Sequence, residues 1–220
     1  MLTPFVRSCS TLAAAVVVSM AVAAPAHSQA TPPATPQAAL DALEAANAKG
    51  DARAIMALIT PEGQKRLARE TVMNGLMMLV FMDPDDPNPM GTKPTGADLA
   101  KKREAFKGVK TAVTAALKPS GLDAAIGQPM MPAEKLINEK IGAVDAAVVV
   151  PAIMDAAVKA GPALGMKEPP RPIKLQPFSN LKVEGDHATV KSGPRTVKID
   201  KVGGKWLIDL PLAEPAGPPQ

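Results

Sequence analysis

The sequence predicts an α+β fold. Its N-terminal helices pack on one face of a C-terminal antiparallel meander of about four strands, and a large helical segment lies between. Three observations lead there. From residue 37 to 165, Ala, Leu, Glu and Met recur at spacings of three and four. After residue 173 the apolar residues alternate with period two. That alternation is broken by Gly185-Asp186, Gly193-Pro194 and Gly203-Gly204, a hairpin rhythm.

The elements follow in order. Residues 1–30 carry one charge, Arg7, before an apolar run from Leu12 to Ala24, then Ser28 and Ala30 at the spacing a signal peptidase reads. This is a secretory signal peptide by composition. Cleavage leaves a chain starting near Thr31, and Ala24 with Ala26 offers an earlier site. The apolar run is shorter than the roughly 20 residues of a comfortable span. Cys9 precedes that run, so it is not a lipid-bearing cysteine. Residues 31–36, "TPPATP", read as a linker. Residues 37–210 then form a single α+β domain.

A first helix runs to Gly50, which stops it, and Asp51 caps a short second helix over 52–59. Thr60-Pro61 is an N-cap followed by proline at the first helical position, opening a third helix to about residue 82. Four prolines between Asp83 and Gly96 dictate an exposed loop. Thr95 and Asp98 resemble a capping box for a fourth helix to Leu117. Leu99, Phe106, Val109, Val113 and Leu117 line its apolar face, and Arg103, Lys107 and Lys110 form a basic row beside it. Helical stretches follow near 132–141 and 143–160, with a kink expected at Pro151. The second is apolar on most sides, so it is a buried helix or, if uncovered, a contact surface. Residues 165–172 are a rigid connector. In the strands, Leu181 with Val183, Ala188 with Val190, Val197 with Ile199, and Trp206 with Ile208 and Leu210 fall in phase. The tail, 211–220, has a disordered composition.

Composition excludes several chemistries. Cys9 is the only cysteine, so the exported chain has no disulfide, no thiolate nucleophile and no cysteine metal site. The formal charge is +4 and falls to +3 with the loss of Arg7, too small an imbalance to point to nucleic acid. The expected localisation is periplasmic or secreted, with no membrane span after cleavage.

"ALDALEAANAKGDARAIMALITPEG" resembles the opening helix pair of nuclear transport factor 2-like proteins, with its Gly-Asp turn at Gly50-Asp51. "LKVEGDHATVKS" and "VKIDKVGGKWLIDL" resemble the closing strands of exported members of unknown function, with the Lys-Trp ending at Lys205 and Trp206. The resemblance implies a curved sheet around a pocket. From Asp83 to Pro172 the chain reads as loop and helix instead. The middle is therefore either an insertion in that fold or part of a different helix-plus-sheet arrangement. The Asp and His pair of the family's enzymes has no counterpart here, so no catalytic residue is carried over.

The candidate binding residues are few. "MNGLMMLVFM" places Met73, Met77 and Met78 on one helix, suited to an irregular core or a flexible apolar pocket. Thioethers also bind Cu(I), but cysteine is lacking and the one remaining histidine, His187, is distant. Trp206, the only tryptophan, reads as core on the last strand, with a pocket lining as the alternative. Asp83, Asp85 and Asp86 lack the glycine and distal glutamate of an EF-hand loop. They fit proline-rich turns. His187 has no evident partner. No catalytic residue, metal or cofactor is assigned. The expected function is a non-catalytic envelope module that binds an apolar small molecule or an envelope protein, with a homodimer possible. The alternative is a lyase or isomerase with a pocket between helices and sheet.

Overall fold

The computed structural model describes residues 33–85, 97–166, 173 and 175–210. The expected signal peptide and tail lie outside them, as do Thr95, Asp86 and most of the 165–172 connector. Among the described residues the chain is α+β: six α-helices and then four strands.

Helix α1 spans Pro36–Lys49 and α2 spans Ala52–Leu58. Thr35 caps α1 by accepting from the Ala38 N–H, and Asp51 caps α2 through Ala54. Each such cap contributes about 1 kcal/mol. Between them Gly50 sits at φ 68°, where it closes the end of α1 with the Asp51 N–H donating to the Ala46 carbonyl. The linker expected over 31–36 is shorter than expected. Thr35 and Pro36 belong to the start of α1, and Pro36 is buried.

Helix α3 spans Pro61–Phe81, capped by Thr60. Helix α4 spans Ala97–Leu117, with Phe106, Val109, Val113 and Leu117 buried as the spacing predicts and Leu99 half-buried. Two 3-10 turns, Lys118–Ser120 and Leu122–Ala125, lead to α5, Met130–Lys140. Helix α6 spans Ala146–Leu164 and continues through both Pro151 and Pro162. Pro151 lies in its second turn, so the missing N–H removes only the bond to Ala147 near the helix start.

The sheet is a plain meander, β1-β2-β3-β4. Its strands are β1 Phe178–Glu184, β2 His187–Ser192, β3 Arg195–Val202 and β4 Lys205–Asp209. Two-residue turns join them. Gly193 takes φ 59° ahead of Pro194, the backbone that a tight hairpin needs at its first central position. Ile59 leaves α2 in extended conformation and bridges Ile208 in parallel, and the Thr60 N–H donates to the Ile208 carbonyl at 3.1 Å. This segment covers part of the outer edge of β4.

The alternation expected in β1 needs a correction. Val183 faces the helices as phased, opposite Ala188, yet it is 53% exposed because β1 is the edge strand. The phase also slips. A bulge between Ser179 and Lys182 places Asn180 at φ 56° and adds one residue. Phe178, Leu181 and Val183 thereby share one face. Asparagine tolerates this left-handed geometry better than most residues.

The described residues belong to one compact unit with two packed layers. In the first, α1 and α2 lie against the sheet through Leu40, Leu43, Ile55, Ile59, Ile199 and Ile208, all fully buried. In the second, α3, α4, α5 and α6 enclose Val72, Val109, Val113, Leu117, Leu122 and Ile137. Helix α6 serves both. Val150 and Met154 face the sheet layer, while Val149 and Ile153 face the helical layer. This explains a helix apolar on most sides: two interfaces require two stripes. It is long and apolar enough to cross a membrane, and 44% of its apolar window is buried.

Candidate functional site

The described surface carries one apolar stripe along a helix, on the second half of α3. The first half of α3 inserts Leu67 and Ala68 into the sheet layer, and Val72, Leu76 and Leu79 enter the helical layer. Met73 and Met77 fall on the flank of that buried face and are half-buried. Val80 and Phe81 extend the same run at seven and eight residues beyond Met73, and are 47% and 50% exposed. Met78 lies on the opposite flank and packs against the helical layer with Met73. The side of α3 next to α6 is held close by Gly75. A Cβ built there would lie 3.2 Å from the Ile153 Cγ2.

The stripe is bounded by charge. One turn before Met73, Arg69 donates to Glu134 at 3.0 Å and to Asn138 at 2.9 Å, tying α3 to α5. Beyond its far end, Asp83 accepts from the Asp85 N–H at 2.9 Å, a self-contained turn. Asp85 binds Arg103 of α4. That hydrogen bond, with the charge of Asp85, raises the Arg103 pKa above its ordinary value, so the guanidinium stays charged. Asp83 and Asp85 are thus engaged locally. Along α5, Met131, Glu134, Lys135, Asn138 and Glu139 line an open depression, and Met131 is 84% exposed.

Trp206 stands apart from the methionines. It is 5% exposed within the sheet layer, whereas Met73 and Met78 pack on the helical layer. Its indole N–H donates to the Ala34 carbonyl at 3.2 Å, and the Lys201 Nζ lies 5.9 Å from the ring centre. Buried side chains of the sheet layer pack between the helices and the sheet.

His187 has a partner that the sequence reading missed. Its Nδ1 lies 2.7 Å from the Asp200 Oδ1, on the outer face of the sheet, with the imidazole 77% exposed. Among the described residues, no group of three or more His, Cys, Asp or Glu side chains converges as a metal site. Val80 and Phe81 were also missed, although continuing the Met73 and Met77 spacing by one turn reaches them.

No family model, curated protein or solved structure matches the chain.

Proposed function

We propose that this is an exported, non-catalytic envelope module that docks a protein partner through the α3 stripe of Met73, Met77, Val80 and Phe81. The observation that supports it is the run of two half-buried thioethers with an exposed aliphatic and an exposed aromatic side chain along a well-packed helix. Flexible methionines suit a surface that must conform to another protein. An aromatic anchor beside them is the usual energetic centre of such a contact. An enclosed small-molecule site would instead need a concave cavity lined on several sides. The resemblance to nuclear transport factor 2-like proteins rests on the sequence of the opening helix pair and the closing strands alone. The export reading rests on the composition of residues 1–30.

The test is a photo-crosslinking amino acid at position 81 of the chain expressed in its own cells. The expected result is one discrete protein adduct on a chain whose N-terminus is near Thr31, and loss of that adduct when Met77→Glu is added. A smear of adducts equal to that from position 139 would overturn the docking surface. An intact Met1 would overturn export.

A further inference from the structure

The sheet protects one of its edges and leaves the other open. Ile59 bridges β4 on one side. On the other the strand order ends at β1, and among the described residues no element pairs with its free edge. Helix α1 touches β1, yet Val183 stays 53% exposed. The direction of the backbone groups follows from the neighbouring hairpin. The Lys201 N–H donates to the Asp186 carbonyl at 2.8 Å, so Asp186 turns toward β3 and the next residue, His187, turns toward β1. Glu184, its partner across the two-residue turn, therefore points its N–H and C=O at β2. Alternation turns those of Val183 the other way, out of the sheet edge. An exposed β-branched side chain thus stands beside a backbone donor and acceptor aimed outward, an edge that can take up another strand.

The residues on either side decide which strand. Lys182 and Glu184 are exposed and lie on the face away from Val183. Neither takes part in an ion pair among the described residues. His187, across from Glu184, is engaged by Asp200. A lysine and a bulge are common devices for keeping an edge from pairing. Here the bulge at Asn180 ends the regular strand, and Lys182 disfavours any strand without an acid opposite it. What remains is Leu181-Lys182-Val183-Glu184-Gly185, which is its own complement when run antiparallel. With Val183 on a two-fold axis, Lys182 meets Glu184 of a second copy, and Glu184 meets that copy's Lys182. The two Val183 side chains meet on the helix side, and their backbones exchange both hydrogen bonds. Moving the axis by one residue sets Lys182 against Lys182 or Glu184 against Glu184. A parallel, in-register pair does the same, and like charges directly opposite destabilise.

We infer that β1 is the seam of a two-fold dimer, in which a second copy of this chain joins the two four-stranded sheets into one. The contact is isologous, so it closes on itself and leaves no β1 edge for further growth. A strand pair this short buries less than the roughly 1,200 Å² of a stable interface, which makes the association weak and concentration-dependent. The seam uses no residue of the α3 stripe, and neither reading depends on the other.

Sedimentation equilibrium of the full chain is the test. The expected result is a monomer–dimer equilibrium with a dissociation constant on the order of 10–100 μM. Lys182→Glu sets acid against acid at both symmetry-related positions and should weaken the dimer about tenfold, as should Glu184→Lys. K182E/E184K reverses both pairs and should restore it to within about threefold of the starting chain. Met77→Glu on α3 should leave it unchanged. A chain still monomeric at about 1 mM, single variants without effect, or a double variant no better than the singles would overturn the seam. So would loss of the dimer with Met77→Glu. If a charge variant misfolds, a covalent readout replaces it. With Cys9→Ser removing the only cysteine, Val183→Cys on the axis sets two Cα atoms about 5.5 Å apart, within reach of a disulfide. It should give a disulfide-linked dimer on oxidation. Val202→Cys on β3, also 53% exposed, should not, and equal cross-linking from the two would overturn the proposal.

Discussion

At the scale of single residues, Trp206 and His187 show what one side chain can be asked to do. Trp206 fills the sheet layer with its ring and spends its one donor on Ala34. Trp206→Phe keeps most of the apolar body and leaves that carbonyl without its donor, so it should cost about 1 kcal/mol. Trp206→Ala should cost about 3–5 kcal/mol. Urea titration followed by circular dichroism measures both; no loss with Trp206→Phe would mean the hydrogen bond contributes nothing. The burial of Trp206 was legible from its phase with Ile208 and Leu210. Its bond to Ala34 was not, because no pattern links positions so distant in the chain. The His187–Asp200 pair was legible in principle: a two-residue turn at Gly193-Pro194 pairs Ser192 with Arg195 and, five steps on, His187 with Asp200. Nothing in the sequence alone compelled that count.

At the scale of elements, capping and turn chemistry carried most of the reading. Asp51, Thr60 and the three glycine turns lie where the sequence placed them. The bulge in β1 escaped notice, because one added residue makes Phe178 look out of phase with Leu181 while the chain keeps both on the same side. The double duty of α6 was half legible: its composition announced burial but not which two layers it would join. Where α6 meets α3, the contact has no slack. Gly75→Val adds a Cβ already 3.2 Å from Ile153, plus two further carbons. It should destabilise the protein by about 1–3 kcal/mol through overpacking. A thermal melt checks this, and an unchanged midpoint would show that α3 and α6 can separate freely. The methionine run was visible in the sequence as a feature of α3. Its half-buried state depends on which neighbours cover it, and that is set by the tertiary packing of α5 and α6.

At the scale of the whole molecule, α3 and α6 contribute side chains to both layers, so neither layer can be lost without disturbing the other. Equilibrium unfolding should then be a single transition. Trp206 fluorescence reports the sheet layer, and far-ultraviolet circular dichroism reports chiefly the helices. The two should give the same midpoint in urea; a separation between them would mean the layers unfold independently. The bond between Ala34 and Trp206, together with the packing of α1 on β4, has a further consequence. The first described helix finds its seat only when the last described strand arrives. A ribosome therefore holds a chain whose sheet layer is incomplete until its C-terminal end is released.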